Sequence, residues 1–245
     1  MEIKTIATGS SGNCYVLTAP NGDQLLLECG IPWKRIAMGM KWDFSRLQGC
    51  VISHEHMDHA RAAKDLLKRM IMVWASPGTL AAINCGDALT ASPIRANEGD
   101  CIEHVTKAGA FTIIAFSAIH DAAEPLMFVI KDSVDTLLFA TDTQYMPRAF
   151  NGLTKIMIEA NYDPKIMDEN FVQNGDVGPR RRRVMKTHMS IETLEYWLRE
   201  CEQNYLFSNL KEIHLIHLSR ENSDMREFQD RIETSIGVPV YIEGR

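Results

Sequence analysis

Apolar residues along this chain fall mostly in short runs, each closed by Gly, Pro, Asn, Asp or Ser. Runs of that length rich in Ile, Val, Leu and Phe predict strands. Ile3–Ala7, Cys14–Thr18 and Leu25–Leu27 are three in succession, the last two joined across Pro20-Asn21-Gly22-Asp23. Gly49–Ser53, Ile71–Ala75, Phe111–Phe116, Met127–Ile130, Thr136–Ala140, Lys155–Glu159, Glu212–Leu218 and Val238–Ile242 extend the series. Helical spacing is clearest at Ala60, Ala63, Leu66, Leu67 and Met70, which predicts one helix over 59–70. Ser76-Pro77 is a cap and first-turn pair for a short helix through Ile83. A further helix is expected from Ile191 to about Asn204. Another runs through Met225, Phe228, Ile232 and Ile236 and is closed by Gly237. The stretch 161–187 is the least regular and reads as a loop. Strands precede helices in each half, which predicts an α/β fold of two sheets face to face with helices outside, a four-layer αββα sandwich. No low-complexity stretch or long linker divides the chain, so a single domain over 1–245 is expected.

His54-Glu55-His56-Met57-Asp58-His59 follows directly on the apolar run Cys50-Val51-Ile52. Residues two apart on an extended chain point the same way, so His54 and His56 can converge on one ion. If the chain then turns into a helix, Asp58 and His59 can serve a neighbouring ion. Imidazole with carboxylate suits zinc, manganese or iron, and this density of ligands suits a two-metal hydrolase. The alternative is a surface loop that happens to hold three of the chain's eight His. Further ligand candidates stand at strand ends: His120 (with Asp121), Asp142 and His217. Strand alternation puts Ile213, Leu215 and His217 on one face and His214 on the other. His104 and His214 read as ordinary core or surface histidines.

Composition narrows the class. With 45% apolar and 24% charged residues in 245, the chain is that of a soluble globular protein with a full core. No basic-then-apolar leader and no apolar stretch near 20 residues is visible, so neither secretion nor a membrane partner is expected. The six cysteines lack any CxxC spacing and read as buried free thiols of a reducing, cytoplasmic compartment. The net charge of −6 disfavours a general nucleic-acid coat protein. Arg180-Arg181-Arg182-Arg183 with Lys186 is the local exception.

Together these residues resemble the metallo-β-lactamase superfamily, whose H-x-H-x-D-H signature is matched by His54, His56, Asp58 and His59. The resemblance implies the metallo-β-lactamase sandwich and two divalent ions per chain: zinc or manganese, with iron or magnesium as alternatives. It places His54, His56 and His120 on one ion and Asp58, His59 and His217 on the other, with Asp142 bridging. In Leu25-Leu26-Leu27-Glu28-Cys29-Gly30 the superfamily usually has Asp where Glu28 stands. That carboxylate supports a metal-binding His, so its support must be re-aimed here. Only 28 residues follow His217, Asp142 and His217 are 75 positions apart, and His120 and Asp142 are 22 positions apart. These gaps are too short for the glyoxalase II extension, the β-CASP insertion and the long tRNase Z arm. Thr8-Gly9-Ser10-Ser11-Gly12-Asn13 resembles the opening of the YycJ/WalJ group, and Ile158–Asn161, Thr187–Ser190 and His217–Asn222 resemble its later motifs. Members of that group are implicated as DNA exonucleases working from 5′ ends, and relatives occur in phages.

The resemblance therefore implies a dinuclear phosphodiesterase that cleaves nucleic acid, DNA in preference to RNA, with a hydroxide held between two cations. Asp58, His188 and Glu159 are the catalytic candidates. His188 stands at the general-acid position of related nucleases and Glu159 near the carboxylate that orients it. The alternative for His188 is a helix-start residue without chemistry. Ser10, Ser11 and Asn13 could hold phosphate in a Gly-rich turn, or form only a tight turn. Arg180, Arg181, Arg182, Arg183 and Lys186 form either a phosphate clamp or a solvated face. Two other functions stay open: a hydrolase of a small ester, thioester or cyclic nucleotide, and a non-catalytic partner of a recombination or repair protein.

Overall fold

A computed structural model of the chain describes residues 1–99, 102–174 and 178–244, without the side chains of 172–174. Cys101, one of the six expected buried thiols, lies outside the described residues; the other five are buried and free. The chain is of mixed α/β class and divides into two compact units. One comprises 1–117, 122–135 and Gly244, the other 118–121 and 136–243.

The first unit contains β1 (Glu2–Ala7), β2 (Cys14–Thr18), β3 (Gln24–Leu27), α1 (Trp33–Gly39), β4 (Leu47–Val51), α2 (Met57–Ala60), α3 (Ala63–Leu67), β5 (Val73–Ala75), α4 (Pro77–Ala82), β6 (Ala91–Pro93), β7 (Thr106–Ala108), β8 (Phe111–Ser117) and β9 (Leu126–Lys131). Strands β1 to β6 form one sheet in sequence order, antiparallel through β3 and parallel from β3 to β6. Strands β7, β8 and β9 form an antiparallel ribbon. Ile36, Ala63, Leu66 and Leu80 from the helices join Cys14, Val16, Leu26, Cys50, Ile52 and Val73 from the sheet in one apolar core.

The single helix expected over 59–70 is instead α2 and α3. The Asp58 carbonyl accepts the Asn13 N–H at 2.7 Å and the His59 carbonyl accepts the Cys29 N–H at 2.8 Å, while the Ala62 N–H donates to Cys29 O at 2.9 Å. Those bonds replace the i→i+4 ladder, which breaks where the metal motif is tied to the sheet. Helix α1 and strands β6 and β7 were not foreshadowed by apolar periodicity.

The second unit contains β10 (Thr136–Ala140), β11 (Lys155–Glu159), α5 (Pro164–Asn174), α6 (Pro179–Thr187), α7 (Ile191–Gln203), β12 (Glu212–Ile216), α8 (Met225–Ile236) and β13 (Val240–Ile242). Its four strands are parallel in the order β10, β11, β12, β13. The hydroxyl of Ser190 caps α7, the Asp224 carboxylate caps α8, and Gly237 ends α8 at φ 77°. The stretch expected to be a loop over 161–187 holds α5 and α6, joined by packing of Tyr162, Met167, Phe171 and Val184. Four consecutive Arg hide the thin apolar side of α6 from any periodicity argument. Strand β12 stops at Ile216, so His217 is not part of the strand alternation. It follows the strand end with a left-handed backbone, φ 54°.

Candidate metal centre

Each unit brings its own cluster to the carboxyl ends of parallel strands, the edge where α/β sheets usually present their chemistry. In the first unit Glu28 follows β3, and Ser53-His54 follows β4. His54 Nε2 and His56 Nδ1 lie 3.1 Å apart. His59 Nε2 and Asp58 Oδ2 lie 3.4 Å apart, and the His54 and His59 rings are 4.2 Å apart between centroids. The signature thus gathers its three imidazoles and the Asp58 carboxylate in one place. Ser53 Oγ is 2.8 Å from His54 Nδ1, which leaves Nε2 for a ligand.

Glu28 is fully buried, and its carboxylate accepts the Ser53 N–H at 3.1 Å and lies 3.6 Å from His59 Nδ1. Burial pushes its carboxyl above the usual range, and His59 and Ser53 pull it back toward the charged form. Glu28 itself has a left-handed backbone, φ 62°. Gly30 completes the fit. A Cβ there would fall 1.6 Å from the Asp58 carbonyl oxygen, so only glycine lets β3's exit pass the motif.

In the second unit Asp142 follows β10, Glu159 ends β11 and His217 follows β12. The two Asp142 oxygens face two imidazoles: Oδ2 is 3.5 Å from His120 Nε2 and Oδ1 is 3.5 Å from His217 Nε2. Asp142, like His217, has a left-handed backbone, φ 42°, and Thr141 Oγ1 donates to its Oδ1 at 2.8 Å. His120 Nδ1 donates to the Thr187 carbonyl at 2.8 Å, so its Nε2 carries the lone pair a cation needs. Burial lowers the His120 pKa, which favours the neutral ligand form over the charge-stabilising pull of Asp142.

His188, the residue after α6, sets Nδ1 3.0 Å from Glu159 Oε2. Glu159 is fully buried, and its other oxygen accepts the Thr143 and Met189 N–H groups at 2.6 and 3.2 Å. Asp142, Glu159, His188 and His217 therefore form one cluster whose donor atoms lie within 4.8 Å of one another. Imidazoles with buried carboxylates form a donor set that fits divalent cations.

The expected substrate contacts divide. Ser10 and Ser11 are exposed, whereas Asn13 is fully buried behind the signature and does not reach the surface. Arg182 and Lys186 are exposed on α6. Arg180 lies 3.5 Å from Glu221, Arg181 forks onto Asp168 at 2.7 and 2.8 Å, and Arg183 donates to Asp121 at 2.9 Å. His214 is held by Glu243 at 2.6 Å and Glu212 at 3.1 Å and has a structural place. Ser53, Asn161 and the Thr187 carbonyl were not anticipated. Asn161 Nδ2 donates to the His217 carbonyl at 2.9 Å and lies 3.2 Å from its Nδ1. Its place two residues after Glu159 was the one signal that could have found it.

A sequence profile described as Beta-lactamase superfamily domain matches residues 32–208. The chain belongs to this superfamily. Exodeoxyribonuclease YycJ of Bacillus anthracis is 26% identical over 178 residues, 68% of this chain, and the chain spans 65% of that relative's length. The metallo-β-lactamase fold protein YhfI of Bacillus subtilis superposes with a TM-score of 0.71 at 17% identity, over 98% of this chain and 95% of that one. Zn²⁺-bound PqqB of Methylobacterium extorquens gives 0.69 at 13% identity, over 100% and 99%. These likenesses show the metallo-β-lactamase fold, as the sequence led one to expect. The matched superfamily is one of metal-dependent hydrolases, and the His/Asp clusters of this chain imply divalent ions. Among the described residues no helix is long and apolar enough to cross a membrane.

Proposed function

We propose that the chain is a dinuclear phosphodiesterase of nucleic acid, a DNA exonuclease running from 5′ to 3′. In this reading 1–245 works as one domain. His54, His56 and His120 hold one ion, Asp58, His59 and His217 the other, and Asp142 both. The observation that carries the reading is the His188–Glu159 pair beside Asp142: a buried carboxylate fixes one ring nitrogen of a histidine next to the ligand cluster. Metal storage needs no such pair, whereas ester cleavage with a poor leaving group does.

Bound divalent ions supply Lewis acidity and neutralise charge at a phosphoryl group. His188 donates its Nε2 proton to the departing 3′ oxygen as water adds to phosphorus, and Glu159 holds Nδ1–H and stabilises the charged ring beforehand. Ser10, Ser11, Arg182 and Lys186 contact flanking phosphates. Exposed ion pairs such as Arg180–Glu221 and Arg183–Asp121 are weak enough to exchange carboxylate for phosphate. The similarity to Exodeoxyribonuclease YycJ supports DNA and the 5′ end. The five buried free thiols support a reducing cytoplasm, zinc or manganese suits the donor set, and a repair or recombination protein fits as partner.

The test uses purified protein with Mn²⁺ or Zn²⁺. Elemental analysis is expected to find two ions per chain, with Asp142→Asn losing both and all cleavage. End-labelled duplexes blocked at both 5′ ends are expected to survive while those blocked at 3′ ends are degraded. One ion at most, or equal digestion of both duplexes, rejects the corresponding half of the proposal. Turnover of a thioester or lactam without DNA cleavage would move the chain to small-ester hydrolysis.

A further inference from the structure

Asn13 has every polar group engaged. Oδ1 accepts the Gly9 N–H at 2.8 Å and the Tyr15 hydroxyl at 3.3 Å. Nδ2 lies 3.2 Å from the Asp58 carbonyl oxygen and 3.3 Å from His59 Nε2. The Asn13 main-chain N–H donates to that same carbonyl at 2.7 Å, and its carbonyl accepts the Gly30 N–H at 2.8 Å. The amide orientation is fixed by chemistry. Turned over, it would set oxygen against the Asp58 carbonyl and NH₂ against the Gly9 N–H. An amide nitrogen only donates, so the His59 Nε2 facing it presents a lone pair. The proton of the neutral ring then sits on Nδ1, which faces the Glu28 carboxylate at 3.6 Å. Asp58 Oδ2 also lies 3.4 Å from Nε2, so the Glu28 and Asp58 carboxylates pull the proton toward opposite nitrogens and the Asn13 amide decides for Nδ1–H.

We propose that Asn13 is a positioning residue that presets His59 in the metal-binding tautomer and fixes Asp58 beside it. Before an ion arrives, the amide occupies the Nε2 lone pair and keeps the ring aimed. When an ion takes that lone pair, the amide keeps its bonds to the Asp58 carbonyl. The ligand pair is therefore built with its geometry in place, and the second ion's affinity depends on a residue that need not touch the ion. The inference rests on the reading of Asp58 and His59 as ligands.

Nitrogen-15 NMR of His59 in the metal-free full chain is expected to show Nδ1–H. In Asn13→Asp, a replacement of the same size, an oxygen faces Nε2 and should move the proton there. Metal titration of Asn13→Ala and Asn13→Asp is expected to leave one ion at wild-type affinity and weaken the other about 10–100-fold, the usual effect of removing a residue that supports a ligand. If both variants fail to fold, the wild-type tautomer decides. Nε2–H at His59 in wild type, or unchanged affinity for both ions in the folded variants, overturns the proposal. A wild-type chain that binds no ion rejects the ligand reading instead, and the tautomer measurement then decides on Asn13.

Discussion

Glu28, Asp142 and His217 each hold a left-handed backbone although none is glycine. Such conformations cost about 1–3 kcal/mol each and persist where the surroundings over-determine them. Here they aim a carboxylate at His59 and turn Asp142 and His217 off their strand ends. His188 stands apart from this group. Its role is tested by His188→Ala, which should keep both ions yet lose roughly 10²–10⁴ in DNA cleavage rate. A phosphodiester with a p-nitrophenolate leaving group needs little protonation and should be much less affected; equal losses on both would point to positioning. The candidate ligands stand out in the sequence because their side-chain chemistry is rare and, over 54–59, their spacing tight. Their supports do not. Thr187 acts through its main chain, which no residue type announces. Asn13 reads as a phosphate ligand because burial is invisible in a polar Gly-rich turn.

Strands were more legible than helices, since most of them, β6 and β7 apart, are closed apolar runs. Periodicity could not find α5 and α6, whose apolar packing is thin and, in α6, masked by a mostly charged sequence. Nor could it see that α2 and α3 are separate, because the break comes from bonds to Asn13 and Cys29 rather than from a helix-breaking residue. The join between β3's exit and α2 has a sharp test. Gly30→Ala drives a methyl into the Asp58 carbonyl and must displace backbone, an overpacking cost of about 1–3 kcal/mol or more. Thermal unfolding should shift down by several degrees, and the metal titration should show weakened binding. An unshifted melting point would mean that the loop carrying Asp58 yields freely.

On the scale of the whole molecule, a net charge of −6 repels nucleic acid, so binding must come from a local field. In the proposed function the exposed cations of α6 supply it. Removing one cation that neutralises a phosphate should lower the slope of log affinity against log salt by about 0.7–0.9. Arg182→Ala with Lys186→Ala should therefore weaken DNA binding and flatten its salt dependence, while turnover of a small phosphodiester survives. An unchanged slope would remove α6 from the interface. The placement of that charge has a further effect. Arg180 and Arg181 sit in the first turn of α6, where the helix dipole is already positive, the turn itself holds no acidic residue, and Gly178 offers no side-chain cap. Glu221 and Asp168, from outside the helix, offset the charge. Amide exchange in α6 is therefore expected to precede that of the parallel strands. A polyanion laid across that turn reverses the balance. The segment whose last carbonyl orients His120, and whose next residue is His188, is then most ordered while substrate is in place.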